Sequence, residues 1–144
     1  MLFRSQMKVV FVDTGFWIAR FKPNDTQSAR ATEVTKSLGP VRLLTTEMVL
    51  NEFLAAFSSV PLRTFAVDAV RAISSNPNVE VVAQTSIQFR EAFDLYASRT
   101  DKEWSLTDCA SFNLMRERNV PEALAHDHHF EQAGFVALLR TEQA

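Results

Sequence analysis

Short apolar runs alternate with longer helical segments along this chain, and this alternation is the feature that most constrains its fold. The runs are VVFV (9–12), RLLT (42–45), VEVVA (79–83), EALAH (122–126) and FVALL (135–139). Parallel strands must be joined by long crossovers, which are usually helices. We therefore predict an α/β domain with a mostly parallel central sheet and helices on both of its faces.

Residues with capping chemistry flank the segments between these runs. They are Thr14 before GFWIARF, Asp25 or Thr26 before 27–38 with Gly39-Pro40 at its end, Thr46 before EMVLNEFLAAFSS, Pro61 before 62–75, and Ser105-x-x-Asp108 at the start of 105–119. The segment 85–99 has apolar residues at near-helical spacing. These signals predict helices between all of the first four strands.

The length of 144 residues is enough for one domain whose core needs no disulfide. We expect a single domain over 1–144, with its core at about 8–140 and a loose extension at 1–6, unless Met7 is the natural start. Cys109 is the single cysteine, which fits a reducing cytosol and predicts a cytoplasmic protein. Asp13 interrupts the apolar run near the N-terminus, and no run reaches the roughly 18 apolar residues of a membrane span. We expect neither a signal peptide nor a membrane location.

Four acidic residues lie where the carboxyl ends of the predicted strands would be. Asp13 directly follows VVFV, and Asp127 directly follows EALAH. Glu52 lies in the helix after the second strand, and Asp108 in the first turn of the helix that opens at 105. Ligands of open α/β sheets bind beyond the carboxyl ends of the strands, so these side chains can converge at one rim. Close carboxylates disfavour one another unless a cation intervenes, and Mg2+ or Mn2+ prefers oxygen ligands.

Each acid also has an ordinary structural explanation. Asp13 can cap the following helix, although Thr14 could do so without a charge. Glu52 can be a solvated residue at the border of an apolar helix face, and Asp108 can complete a capping box with no further role. Asp101, in RTDKEW, is a further candidate that is also typical of a solvated loop.

The segment AHDHHF raises the alternative of a zinc site, because histidine and aspartate both bind zinc. His126, His128 and His129 lack the i, i+4 or x3–5 spacing of helical zinc motifs. On a strand, His126 and His128 would share one face, with Asp127 on the other. The pattern therefore favours an oxygen-only pocket over zinc.

Four blocks resemble, in order and with similar spacing, those of PIN-domain ribonucleases: VFVDTGFW, TTEMVLNEF, DKEWSLTDCASF and ALAHDHHFEQAGF. The resemblance covers about residues 8–140, and the longer blocks resemble the branch of VapC-type toxins and their stand-alone relatives. It implies a Rossmann-like α/β/α sandwich and a metal-dependent endoribonuclease in which a metal-activated water hydrolyses RNA phosphodiester bonds. The chain departs from the pattern at Gly15, where a small polar residue is common. Ser105, Ser111 and Cys109 lack the context of a covalent nucleophile.

Carried over residue by residue, the resemblance implies that Asp13, Glu52, Asp108 and Asp127 are the catalytic acids and bind Mg2+ or Mn2+. Asp13 and Asp108 correspond to the firmest metal ligands, and the other two complete the pocket directly or through water. Thr14 corresponds to a hydroxyl that assists beside the first acid.

Contacts to RNA would have to come from the rim around these acids. Four basic residues near the acidic blocks can bind phosphates or can be ordinary surface charges: Arg20, Lys22, Arg99 and Lys102. Trp17 and Trp104 can stack on bases or pack into the core. The net charge of −2 does not exclude RNA, because bound cations would neutralise the acidic pocket.

The resemblance also implies partners, namely a small antitoxin protein and a second copy of the chain, since homodimers are common in the family. The region 46–75 supports a dimer because it carries more apolar residues than one core face needs: Met48, Val49, Leu50, Phe53, Phe57, Leu62, Phe65 and Val67. The sequence does not distinguish transfer, ribosomal and messenger RNA as the target.

Two other functions compete with a nuclease. A non-catalytic module could bind nucleic acid or nucleotide, but the chain has only three glycines and no phosphate-binding glycine loop. A metal-dependent phosphatase also places an aspartate after its first strand, but Asp13 is followed by Thr-Gly rather than by a second close acid. Both alternatives are therefore weaker than the nuclease prediction.

Overall fold

A computed structural model describes residues 7–140; the extension predicted at 1–6 lies outside the described residues. The strands are β1 (Val9–Val12), β2 (Arg42–Thr46), β3 (Val79–Val82), β4 (Glu122–Leu124) and β5 (Val136–Ala137). The helices are α1 (Thr14–Phe21), α2 (Ser28–Leu38), α3 (Glu47–Ala56), α4 (Val60–Ser75), α5 (Ser86–Ser98), α6 (Leu106–Arg118) and α7 (His128–Gln132). A pair of helices joins each of the first three strands to the next, and α7 alone joins β4 to β5, so the predicted alternation is confirmed.

All neighbouring strands are parallel, in the order β3-β2-β1-β4-β5. The chain builds outward from β1 to β2 and β3, and then crosses to the other side of β1 for β4 and β5. The strand order therefore reverses between β1 and β4, where Val12 pairs with Leu124. Such a switch point leaves a crevice beyond the carboxyl ends of the strands, which is where open α/β sheets bind their ligands.

The central strand β1 shows why the sheet must be covered on both faces. Its last three residues, Val10, Phe11 and Val12, are all completely buried. Successive strand residues point to opposite faces, so helices must pack on both sides. The chain is thus an α/β/α sandwich with a fully parallel sheet, as predicted.

Aromatic packing fixes α6 and α7 against β1. The Phe112 ring lies 5.0 Å from those of Trp104 and Phe130, and Phe130 in turn contacts Phe11 at 6.3 Å between ring centroids. Edge-on aromatic contacts of this kind add to the hydrophobic stabilisation of the core. They hold the N-terminal turns of α6 and α7 beside the end of β1.

Most predicted helix boundaries are confirmed, including the Thr46 cap of α3, the start of α4 at Val60-Pro61 and the Ser105–Asp108 capping box of α6. Gly39 ends α2 with a φ of 68°, which favours glycine. The prediction that Thr14 caps α1 is wrong: Asp13 occupies the N-cap position and Thr14 is the first helical residue. The N-cap of α2 is Gln27, whose backbone N–H donates to Asp25.

The C-terminal part of the described chain differs most from the prediction. Strands predicted over 122–126 and 135–139 are shorter, at Glu122–Leu124 and Val136–Ala137. The chain leaves the sheet after Leu124 because Asp127 caps the short helix α7, accepting a hydrogen bond from the His129 backbone N–H at 2.9 Å. That helix replaces the strand geometry expected for AHDHHF.

The apolar residues that suggested a second interface divide between core and surface. Val49, Leu50, Phe53 and Phe57 are buried, while Met48 and Leu62 are partly buried. Phe65 and Val67 remain exposed on α4 beside two further exposed apolar side chains, Leu54 and Val60. Within residues 7–140, no helix is both long and apolar enough to cross a membrane.

Candidate active site

The four acids predicted from the sequence line one open cleft beyond the carboxyl ends of β1 and β4. The cleft is formed by Asp13, Thr14, Gly15, Glu52, Glu103, Ser105, Asp108, His126, Asp127 and His129. Residues separated by more than 110 positions meet there because β1 and β4 are neighbours at the switch point of the sheet. The site therefore depends on topology as much as on the individual acids.

Asp13 is a buried acid whose hydrogen-bonding capacity is not fully satisfied. Its side chain does not cap α1, and within residues 7–140 its Oδ1 atom is buried without a hydrogen-bond partner. Burial raises the pKa of Asp13 to about 8, and the nearby Asp108, Glu52 and Asp127 carboxylates add to the shift. The Thr14 backbone N–H opposes the shift only in part. Without a cation, this carboxyl is protonated at neutral pH.

Glu52 reaches the cleft from α3 and is held by Thr14. The Thr14 hydroxyl donates to Glu52 Oε1 at 2.5 Å, which links the start of α1 to the middle of α3. Thr14 is buried, so this hydrogen bond is shielded from water. The Thr14 hydroxyl, which was expected to assist Asp13, therefore positions Glu52 instead.

Asp108 combines a structural role with a place in the cleft. Its carboxylate accepts from the Ser105 backbone N–H at 3.1 Å, and its own N–H donates to Ser105 Oγ at 3.0 Å. Burial raises the pKa of Asp108, while the Ser105 N–H and His129 partly compensate. The capping box and the cleft use the same side chain, so the structural explanation does not compete with a functional one.

His129 lies between two of the acids, and sequence reasoning assigned it no such role. Its Nδ1 atom is 3.0 Å from Asp108 Oδ2 and 3.0 Å from Asp127 Oδ2. The contact exists because Asp127 caps α7 and turns the following residues back toward α6. The available signal in the sequence was Asp127, two residues before His129, in a segment where an aspartate can cap a helix.

Gly15, where the chain departs from the family pattern, has a close neighbour across the cleft. A Cβ atom at this position would lie 3.1 Å from His126 Cδ2. His126 is partly buried, its Nε2 is without a partner among the described residues, and burial lowers its pKa. A larger residue at position 15 would have to displace this neutral imidazole.

The predicted RNA-binding residues lie away from the acids. Arg99 donates two hydrogen bonds to Asp101, at 3.0 and 3.1 Å, and Lys102 lies 3.8 Å from the same carboxylate. Arg20 and Lys22 are exposed near the end of α1, and Arg20 lines a separate groove between α1, α2 and α4. Neither these four basic residues nor the candidate acid Asp101 lines the cleft.

Both tryptophans are buried rather than available to stack on bases. Trp17 donates to Thr45 Oγ1 at 3.3 Å, and Trp104 donates to Gln132 Oε1 at 3.0 Å. The Arg99 guanidinium lies 4.9 Å from the centre of the Trp104 ring. Arg99 and Trp104 therefore brace the loop that leads into α6, which carries Asp108.

The chemistry of the cleft suits a hard divalent cation. Four carboxylates from different elements supply oxygen ligands, and the unpartnered oxygen of Asp13 is a buried acceptor that a cation would satisfy. The cleft holds no thiol, and Cys109 is buried behind it with a pKa that burial raises to about 11. A covalent cysteine nucleophile is therefore not part of the site.

Comparisons with known proteins agree with this geometry. No protein-family model matches the chain. The 23S rRNA-specific endonuclease VapC20 of Mycobacterium tuberculosis, from strains CDC 1551 / Oshkosh and ATCC 25618 / H37Rv, is 31% identical over 128 residues, which cover 89% of this chain and 96% of the relative. The crystal structure of Mycobacterium tuberculosis VapC20, described as a Sarcin-Ricin loop cleaving toxin, has a TM-score of 0.80 at 30% identity, over 89% of this chain and 97% of that one.

Proposed function

Because the chain belongs to the VapC-type PIN-domain ribonucleases, we propose that its metal-dependent cleavage of RNA is performed in this cleft, with Asp13, Glu52, Asp108 and Asp127 holding Mg2+. Asp13 and Asp108 are the principal ligands in this proposal, and Mn2+ is the alternative ion. The binding-module and phosphatase alternatives lose their basis, since the relatives are endonucleases over nearly the whole length of the chain.

The observation that carries the assignment of residues is the state of Asp13. A buried carboxylate with one unpartnered oxygen, beside three other acids, costs folding free energy in the absence of a cation. Such a group is expected where function requires it, because Asp13 occupies the N-cap position of α1 and yet its side chain makes no capping hydrogen bond. Three of the four acids also have side-chain or backbone partners that hold them toward the cleft.

The chain's own residues perform three tasks in this proposal. Asp13 and Asp108 bind the ion, Thr14 orients Glu52, and His129 holds Asp108 and Asp127 at a fixed separation. The bound ion supplies Lewis acidity, which lowers the pKa of water and offsets charge on a phosphoryl group. The cleft is open to solvent, so a phosphodiester can approach the acids from outside.

We infer that the substrate is the large ribosomal RNA, in keeping with the 23S rRNA-specific relative. In this proposal Arg20 and Lys22, which lie outside the cleft at the far end of α1, contact the RNA backbone beside it. Helix α1 starts at the cleft and is eight residues long, so its far end lies roughly 12 Å away. Basic residues at that distance can bind a neighbouring phosphate rather than the one that is cleaved.

Cleavage by purified protein, with Mg2+, Mn2+ or a chelator, tests the proposed residues. We expect Asp108→Asn to lose more than about a hundredfold in activity, because even the residues that support metal ligands contribute about 10–100-fold in metal affinity or activity. Asp94→Asn is the matched control, since it makes the same change on the exposed surface of α5. Equal activity of the Asp108→Asn variant and the control would contradict the assignment.

The substrate is tested separately, by treating intact ribosomes and purified transfer RNA with the same preparations and mapping new ends by primer extension. We expect one discrete metal-dependent cut in 23S rRNA, which disappears with Asp108→Asn. Cleavage of transfer RNA at lower protein concentrations than ribosomal RNA would overturn the proposed target and leave the ribonuclease assignment intact.

We propose two protein partners as well, an antitoxin and a second copy of the chain. A groove between α1, α2, α4 and β3, lined by Phe16, Trp17, Phe21 and Ile73 among others, offers an apolar surface for an antitoxin segment. Exposed apolar side chains on α5, at Phe89, Phe93 and Tyr96, offer a stripe for a dimer contact. A monomeric mass at micromolar concentration, measured by light scattering, would contradict the dimer.

A further inference from the structure

Asp127, His128 and His129 form a compact cluster of metal-ligating atoms at the start of α7. His129 Nδ1 lies 3.0 Å from Asp127 Oδ2, and His128 Nδ1 lies 3.5 Å from Asp127 Oδ1. One ligand atom from each of the three residues lies within 4.8 Å of the others. The two imidazole rings have their centres 4.6 Å apart.

The local backbone produces this cluster from three consecutive residues. Asp127 has extended backbone dihedrals at the N-cap, while His128 and His129 are the first two helical residues. The His129 backbone N–H donates to Asp127 Oδ1 at 2.9 Å, which turns the carboxylate toward the rings. A strand would have placed the Asp127 side chain on the face opposite to that of His128.

Two separations in the cluster, from His129 Nδ1 to Asp127 Oδ2 and from His128 Nδ1 to Asp127 Oδ1, are close to the ligand spacing of a tetrahedral transition-metal site. Zinc binds imidazole nitrogen and carboxylate oxygen at about 2.0–2.1 Å, so the ligand atoms of a tetrahedral site are about 3.3 Å apart. The two carboxylate–imidazole distances in the cluster, 3.0 and 3.5 Å, lie on either side of that value. Mg2+ prefers oxygen ligands only and binds such mixed sites poorly.

The cluster is open to solvent on one side and joined to the acidic cleft on the other. The His128 side chain is 55% exposed, so an ion can enter directly. His129 Nδ1 also lies 3.0 Å from Asp108 Oδ2, and Asp127 lines the cleft with Asp13 and Glu52. An ion bound between Asp127 and His129 would replace the direct contacts that His129 Nδ1 makes with the two carboxylates.

We propose that Asp127, His128 and His129 form a binding site for a transition metal ion such as Zn2+. Two of its three donors are histidine nitrogens, whereas the four catalytic acids form a set with oxygen donors only. The two sites share Asp127. The two sites therefore compete. Zn2+ in the His-containing site removes Asp127 from the catalytic acids and breaks the contact between His129 and Asp108. By linkage, each ion weakens the binding of the other by the same factor. The binding site stands on its own geometry, whereas the inhibition of RNA cleavage rests on the proposed function.

The binding test uses the full chain without a polyhistidine tag, stripped of metal, with Zn2+ in calorimetry and Co2+ as a spectroscopic probe of tetrahedral geometry. We expect one Zn2+ per chain and visible Co2+ bands typical of tetrahedral nitrogen and oxygen ligands. His128→Ala is the main variant, because His128 is exposed and its loss leaves the capping hydrogen bond of Asp127 intact. It should weaken Zn2+ binding by at least about tenfold and leave Mn2+ binding within twofold of the wild type.

Asp13→Asn gives the reverse pattern, because Asp13 belongs only to the oxygen set. It should weaken Mn2+ binding and leave Zn2+ binding unchanged. Asp94→Asn, which makes the same change on the exposed surface of α5 and outside the cleft, is the matched control and should change neither. Zn2+ binding that is unaffected by His128→Ala, or that is lost with Asp13→Asn, would overturn the proposed site.

The inhibition test measures the Zn2+ concentration that halves Mg2+-dependent RNA cleavage. We expect His128→Ala to require at least about tenfold more Zn2+ than the wild type, in line with its weaker binding. Equal inhibition of the two proteins would overturn the competition. Absence of any Mg2+-dependent cleavage in both proteins would instead overturn the proposed function, and the calorimetric result would still decide the Zn2+ site.

Discussion

The two sides of the acidic cleft hold their carboxylates in opposite ways. On the strand side, formed by Asp13, Thr14 and Glu52, the hydroxyl of Thr14 holds Glu52 but Asp13 keeps a buried oxygen without a partner. On the helix side, Asp108 and Asp127 each accept a backbone N–H at a helix N-terminus, and His129 lies between them. The helix side is therefore preorganised without an ion, whereas in the proposed function the strand side is completed by one.

Because of this difference, the contribution of each acid to protein stability can be measured separately from its contribution to metal binding, which a loss of activity alone would not distinguish. Asp13 on the strand side destabilises the metal-free protein and, in the proposed function, binds the ion. Asp108 on the helix side stabilises the fold through its capping box and, in the proposed function, also binds the ion. Activity and stability should therefore change together on the helix side and in opposite directions on the strand side.

The largest effects are expected from removing one acid on each side. Asp13→Asn and Asp108→Ala should each reduce RNA cleavage by more than about a hundredfold. Metal-free Asp13→Asn should gain about 1–3 kcal/mol in the free energy of unfolding, because an uncharged amide replaces a poorly satisfied buried carboxyl. Asp108→Ala should lose about 1 kcal/mol with its capping box. Denaturant unfolding in chelator measures both; a loss of stability in Asp13→Asn would contradict the comparison.

The pH dependence of metal binding is the next largest effect. The folded pKa of Asp13 is raised from 3.8 to about 8, so the metal-free folded protein holds a proton at neutral pH that the bound ion must displace. Mn2+ affinity should therefore rise with pH, by up to about tenfold per unit below pH 8, and then level off. Calorimetry in buffers of different ionisation enthalpy counts the released protons. Binding without proton release at pH 7 would contradict a protonated Asp13.

The raised pKa of Asp13 also makes the stability of the metal-free protein depend on pH. Between about pH 4 and pH 8 the folded metal-free chain binds a proton at Asp13 that the unfolded chain has released. The contribution of Asp13 to the free energy of unfolding is therefore fully present below pH 4 and decreases as pH rises through this window. Asp13→Asn removes this contribution, so the difference in stability between the variant and the wild type should widen as pH rises.

His129 tests the preorganisation of the helix side. His129→Ala should reduce metal affinity by about 10–100-fold, because the carboxylates of Asp108 and Asp127 lose the group that holds them together. His129→Asn carries a donor N–H near the position of Nδ1 and should recover most of that affinity. Mn2+ titration distinguishes the two variants. Equal losses in both would show that the imidazole acts by packing alone.

Sequence analysis identified the fold and all four acids because both depend on local signals. The buried run before Asp13 and the Ser105–Asp108 capping box are each readable within a few residues. The assembled cleft is less readable, since it requires the strand order that places β4 beside β1. The predicted roles of the four acids remain proposals until the variants are measured.

The contacts that the sequence analysis missed depend on a competing local structure or on distant residues. Helix α7 was missed because EALAH continues as a plausible strand, and the Asp127 cap outweighs that preference. The position of His129 between two acids follows from that helix. Arg99 and Asp101 are two residues apart, and their bidentate contact pairs a predicted RNA-binding residue with a candidate acid of the pocket.

The smallest predicted effect lies at the contact between the two sides, where Gly15 on α1 meets His126 after β4. Alanine is favoured over glycine in helices by about 1 kcal/mol, but a Cβ at position 15 would lie 3.1 Å from His126 Cδ2. We expect Gly15→Ala to destabilise the wild type by up to about 1 kcal/mol and to stabilise a His126→Ala background by a similar amount. A double-mutant cycle by denaturant unfolding measures this coupling energy. Additive effects would mean that the imidazole moves freely, and the two sides of the cleft would then be coupled through the bound ion rather than through this contact.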